Sequence, residues 1–187
     1  MSAKTAIFLL GGTGYIGGSV LTRFIQHPNA SHFDITVLVR SEEKAKKLEP
    51  FGVRTVVGSL SDTDKLEELA SQSKVVVACA NADDLTAARA LLKGLKKRHY
   101  RTGEIPIFIQ TSGTGVLRDN AVGMFPTSTI YYDSDPDQME TLAPTQPHRN
   151  VDLAIVDADK QGFVKTYIIL HRRSTGLHQA HWSTRES

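Results

Sequence analysis

Three glycines spaced three apart, Gly11, Gly14 and Gly17, follow a short apolar run and open a helical pattern. The run, residues 5–10, is too short for a helix and reads as a buried strand. Beyond the glycines Ile16, Val20, Phe24 and Ile25 recur at helical spacing up to His27 and Pro28. Such a turn leaves backbone N–H groups unpaired at a helix N-terminus. The helix dipole adds positive charge there, so a phosphate is the natural occupant. The glycines supply an unusual φ, close backbone approach to a pyrophosphate, and close packing of helix on strand. Residues 11–17, with Thr13, Tyr15 and Ile16 between the glycines, form the candidate dinucleotide loop. A tight strand-to-helix turn with no ligand is the alternative reading.

The rest of the chain repeats the strand–helix alternation. Apolar runs at 34–40, 54–60, 74–80, 106–110 and 165–170 read as strands, the last of them expected inside the sheet. Residues 42–49, 62–70, 83–99 and 148–159 read as helices, with Asp62 a ready N-cap for the second. This predicts an α/β fold, a doubly wound parallel sheet of about six strands with helices on both faces. Right-handed crossovers put every strand's C-terminal end on one edge. Gly11, Arg40, Ala80, Asn81 and Ser112 should therefore meet in one crevice.

Arg40 ends the second strand, where an acid would bind the ribose hydroxyl of NAD and an arginine accommodates the 2′-phosphate of NADP. With Ser41 as a further donor, the expected cofactor is NADP, NAD remaining possible. An arginine that merely ends the strand is the bland alternative. Ala78, Cys79 and Ala80 are small enough for a cofactor to lie against the backbone, and Asn81 is a candidate ribose contact. Cys79 reads as a buried small apolar residue.

A chain of 187 residues with 40% hydrophobic residues supports one well-buried domain. The expected division is a cofactor domain at 1–170 and an irregular tail at 171–187. One cysteine excludes a disulfide framework. Neither a signal-peptide pattern nor a membrane-length apolar run is present, so a cytoplasmic protein is expected. The net charge of +2 resides in three arginines after Leu170, set against Glu186. The basic cluster Lys93, Lys96, Lys97, Arg98 and Arg101 ends a helix, where cations complement the dipole. A small-molecule substrate is expected, with no nucleic-acid or membrane partner; the oligomeric state is left open. No compact ligand spacing suggests a metal, and the acids in 119–147 read as a surface loop over the cofactor edge.

The run GGTGYIGG at 11–18 resembles the signature of the extended and atypical short-chain dehydrogenase/reductases, the epimerase/dehydratase-like group and its NmrA-like relatives. The likeness continues through VLVR at 37–40, QTSG at 110–113 and VKTYIIL at 164–170. It implies an NADP-dependent oxidoreductase acting on a small carbonyl or alcohol. The alternative class is a non-catalytic NADP-binding redox sensor like some NmrA-like relatives. By the resemblance, Ser112 bonds the substrate oxygen; a plain turn serine is the other reading. The family's Tyr-x-x-x-Lys pair is absent. In helix register His148 stands at the tyrosine position and Asp152 at that of the lysine. A His/Asp pair four apart can pass a proton, or can simply start a helix. The resemblance also implies an acid near the adenine, where this chain has Ser59. It stops near 170, so 171–187 is expected to be a truncated or aberrant end, a genuine disordered interaction tail being the other reading. Poor cofactor binding and little or no turnover are expected of the chain as it stands.

Overall fold

The computed structural model describes residues 4–119, 121, 124, 125 and 128–171. The expected tail, apart from His171, lies outside them. The strands are β1 (Thr5–Leu10), β2 (Phe33–Val39), β3 (Arg54–Val57), β4 (Val75–Ala78), β5 (Ile107–Gly113) and β6 (Lys165–His171). Between them run α1 (Tyr15–Ile25), α2 (Glu42–Leu48), α3 (Thr63–Gln72), α4 (Leu85–Thr102), a short α5 (Pro136–Glu140) and α6 (Arg149–Lys160). All strand pairings are parallel, in the order β3-β2-β1-β4-β5-β6. The chain therefore crosses over between β3 and β4, and leaves a crevice beside the end of β1.

Strand alternation builds the two cores. Phe8, Leu10, Val76 and Phe108 pack with Leu66 of α3, Leu91 and Leu95 of α4 and Ile155 of α6. Ile7, Leu9, Val37 and Val39 pack with Leu21 of α1 and Ala45 and Leu48 of α2. Each fully buried Leu or Phe contributes roughly 1.5–3 kcal/mol, and these cores hold the strand ends that form the site in register.

α3 and α4 approach so closely that a Cβ on Gly94 would strike the Glu67 carbonyl and lie 2.7 Å from the Ala70 Cβ. Much of the basic cluster on α4 is engaged within the chain. Lys93, at 2.7 Å, and Lys97 bind the Glu67 carboxylate. Arg98 pairs with Glu104, and Arg101 donates to the Ser71 carbonyl.

Three local expectations are corrected. β6 is the outermost strand of the described sheet instead of an inner one, with Tyr167 49% and Ile169 54% exposed. Its alternate residues are apolar on both sides, so periodicity alone gives no sign of an open face. Helix α4 begins at Leu85, capped by the Asp84 carboxylate accepting from the Ala87 N–H, and runs to Thr102 before Gly103 at φ +70°. Asp62 precedes α3 without capping it; its carboxylate accepts from the Ser59 N–H instead. Among the described residues, no helix is long and apolar enough to cross a membrane.

Candidate cofactor cleft and active site

At the end of β1 the three glycines divide the work as the spacing implies. Gly11 adopts φ +79°, and a Cβ there would lie 2.6 Å from the Cys79 carbonyl oxygen. Gly17 presses against the Gly11 carbonyl, leaving no room for a side chain. Gly14 differs: an added Cβ would meet only the Gly11 oxygen, at 3.2 Å. The space over Gly14 is open toward the crevice, which is what a close-lying ligand requires. Gly14 also offers α1 no capping side chain, and the first turn of α1 carries no acid. The helix end is therefore left to an external anion.

A cleft of about 320 Å³ runs from this loop to the end of β2, lined by Gly11, Thr13, Gly14, Arg40, Lys44 and Asn81 among others. Arg40 and Lys44 supply two cations at its far end. Ser41 caps α2, its hydroxyl oxygen accepting from the Lys44 N–H at 3.4 Å. Of the acids Glu42 and Glu43 that follow, Glu43 is taken up by Lys47 at 2.7 Å on the exposed side. Lys47 holds the Glu43 carboxyl below its ordinary range. Gly58 and Ser59 line the same cleft. The Asp62 carboxylate nearby is taken up by the Ser59 N–H at 2.8 Å. Loop, cations and cleft suit a dinucleotide phosphate: open space over Gly14, an uncapped helix end and paired positive side chains.

A second cavity, about 460 Å³, adjoins the first and shares Cys79 and Ala80 with it. Ile16, Thr111, Ser112, His148 and His171 complete much of its wall. Tyr15 lines neither cavity and is 46% exposed. No tyrosine is among the described residues lining the second cavity. Asn81 makes a turn, its side-chain oxygen accepting from the Asp83 N–H at 3.1 Å.

Ser112, His148 and Asp152 come together here, but the expected His148/Asp152 bond is replaced by two others. The Ser112 hydroxyl donates to Asp152 Oδ2 at 3.0 Å. His148 Nδ1 is 2.7 Å from Asp83 Oδ1, across 65 residues of sequence. The reason is geometric: His148 precedes α6 at φ +67°, ψ −17°, so its side chain leaves the helix line on which Asp152 lies. Asp152 is buried, and its Oδ1 has no hydrogen-bond partner. Burial pushes its carboxyl above the usual range, against the opposing pull of Ser112, His148 and Arg149.

A carboxyl whose folded pKa is raised binds more protons folded than unfolded. Its favourable share of stability is present below the unfolded value, about 3.9, and is lost as pH rises through the higher folded value. Asp152→Asn should therefore gain stability relative to the parent as pH climbs from about 4 toward neutrality. Urea unfolding at both ends of that range reads the difference; a constant or shrinking gap would contradict it.

Two members of the site escape a reading of the sequence. Lys44 is signalled only weakly, by standing one helical turn beyond Arg40. Asp83 has no sequence signal, because its partner is brought in by α6. Burial at the end of β4 does agree with the sequence for Cys79, which is half-buried, accepts from Thr111 Oγ1 at 3.3 Å and has its thiol pKa raised by desolvation. Among the described residues no group of three or more His, Cys, Asp or Glu is placed to hold a metal ion.

A parallel doubly wound sheet with a glycine turn and a cation-tipped cleft at its switch point defines a dinucleotide-binding protein. The family model described as NAD(P)H-binding matches residues 11–143, and the chain belongs to that family. This bears out the resemblance to the extended and atypical short-chain dehydrogenase/reductases. Over 114 residues the chain is 37% identical to the oxidase ucsJ of Acremonium sp., covering 59% of this chain and 31% of that protein. It is 26% identical over 136 residues to the isoflavone reductase homolog A622 of Nicotiana tabacum, covering 70% and 42% respectively. The chain thus spans well under half the length of both relatives. In fold it is similar to the UDP-glucose 4-epimerase of Thermotoga maritima solved with UDP-glucose. That match has TM-score 0.61 at 16% identity, over 89% of this chain and 55% of the other.

Proposed function

We propose that this chain is the NADP-binding part of an oxidoreductase that interconverts a carbonyl and an alcohol in a small molecule. The observation that carries the reading is the continuity of the crevice. An anion-ready helix end lies between two cations, Arg40 and Lys44, and a cavity walled by Ser112 and His148. A bound nicotinamide supplies or accepts hydride. The chain's own residues do the rest: Gly14 and the start of α1 hold the phosphates, Arg40 and Lys44 select the 2′-phosphate, and Ser112 orients the substrate oxygen. Kinship with proteins named as an oxidase and a reductase homolog supports the reaction class. A cytoplasmic setting, where NADP(H) is at hand and the Cys79 thiol stays reduced, belongs to the same reading.

The absent Tyr-x-x-x-Lys pair favours a second reading, an NADP-binding sensor without turnover. Following NADPH oxidation against a panel of aldehydes and ketones, with NADH in parallel, separates the two. Turnover that prefers NADPH is the expected result. NADPH binding without turnover of any substrate would establish the sensor, and failure to bind either nucleotide would overturn both.

A further inference from the structure

Resting on the oxidoreductase reading, we propose that Asp83 is the positioning residue that makes His148 the proton-transferring group of the second cavity. A carboxylate oxygen only accepts, so at 2.7 Å from Asp83 Oδ1 the Nδ1 atom carries the hydrogen. Nε2 is then the working nitrogen. It faces Gly113 and Gly115, where an added Cβ would lie 2.7 Å and 3.3 Å away. The absence of side chains on these two glycines therefore gives the ring its place at the cavity wall, beside Ser112.

The backbone points the same way. His148 is the only residue other than glycine with positive φ among the described residues, and such conformations gather at functional sites. The loop bearing Asp83 precedes α4, while His148 precedes α6, so the bond joins two helix starts. Asp83 bonds the ring directly, Asp152 interacts with it electrostatically, and Cys79 and His171 line the same cavity. Ser112 and His148 thus share one cavity wall while the Asp83 carboxylate holds the ring from outside that wall, a division of roles familiar in proton-transfer sites.

In the reducing direction a bound reduced nicotinamide would supply hydride to the carbonyl carbon, the C=O π pair passing to oxygen. That oxygen takes the proton from Nε2 of the imidazolium, and the ring regains one from water. The products are the alcohol and the oxidised nicotinamide. In the oxidising direction Nε2 accepts the alcohol proton.

The test uses the 187-residue chain with ¹⁵N-labelled histidine, in alkaline solution where imidazoles are neutral. His148 should be the Nδ1–H tautomer in the parent and in Asp83→Glu, and should shift toward Nε2–H in Asp83→Asn. With NADPH and phenanthrenequinone as the carbonyl probe, kcat should fall on the order of 100-fold in His148→Gln. It should fall about tenfold in Asp83→Asn with little change in KM, and recover in Asp83→Glu. An Nε2–H parent, or equal kcat in the parent and Asp83→Asn, would overturn the proposal. A parent that holds the Nδ1–H tautomer but oxidises no NADPH would instead overturn the oxidoreductase reading, and the proton-transfer role with it.

Discussion

Gly14→Val should still fold, melting somewhat below the parent, yet lose dinucleotide binding on the order of 100-fold or more, whereas Gly17→Val should fail in folding first. The two glycines lie one turn apart but face different neighbours. A Cβ at Gly14 meets only the Gly11 carbonyl oxygen, at 3.2 Å, a tight contact that a shift of a few tenths of an ångström relieves, so the fold survives with some loss of stability. The open space over Gly14 is where the pyrophosphate must approach α1. Displacing it forfeits roughly two charge-assisted hydrogen bonds of about 1.5–3 kcal/mol each, which sets the expected loss of affinity. At Gly17 a side chain runs into the Gly11 carbonyl and, at 3.1 Å, the Gly12 nitrogen. These are backbone atoms that cannot swing aside, and overpacking of this kind costs about 1–3 kcal/mol or more. Fluorescence titration with NADPH alongside thermal melts reads both effects. Unchanged affinity in Gly14→Val would move the site elsewhere.

Arg40→Ala should weaken NADP binding about tenfold or more while leaving NAD nearly unchanged, since an arginine–phosphate contact contributes about 1.5–3 kcal/mol. Lys44→Ala should act in the same direction but less, because an ammonium offers a point charge where the guanidinium offers a fork. Both losses should shrink in high salt, as the cleft is open to solvent and its charges are screened. Competition titrations of the two nucleotides measure the selectivity. Equal losses for NAD and NADP would show that Arg40 serves the sheet end and not the phosphate.

The phosphate end of this site is legible in sequence because its parts are local. One turn supplies Gly11, Gly14 and Gly17, and one strand end supplies Arg40; strand periodicity then brings Ala80, Asn81 and Ser112 to the same edge. The catalytic end is less legible because its bonds span the chain. Ser112 finds Asp152 from forty residues away and Asp83 finds His148 from sixty-five. Helix register points to His148, which lines the second cavity, and to Asp152, which lies buried and bonded to Ser112. It pairs them wrongly, since it assumes helical backbone at His148, which in fact has positive φ. Residues 165–170 mislead for another reason. Tyr167 and Ile169 carry the apolar signal of a covered strand while facing outward from the sheet edge.

Amide chemical-shift mapping, as NADP⁺ is added to the ¹⁵N-labelled chain, tests the cofactor site most directly. The phosphate loop and the arginine end should respond together, with the largest changes at Gly11, Thr13, Gly14, Arg40 and Lys44 and smaller ones at Ala80 and Asn81. The opposite sheet edge, at Lys74 and Ile107, should stay unchanged. Changes that cluster away from residues 11–17, or no saturable change at all, would contradict the claim that this chain binds its cofactor across the C-terminal edge of the sheet.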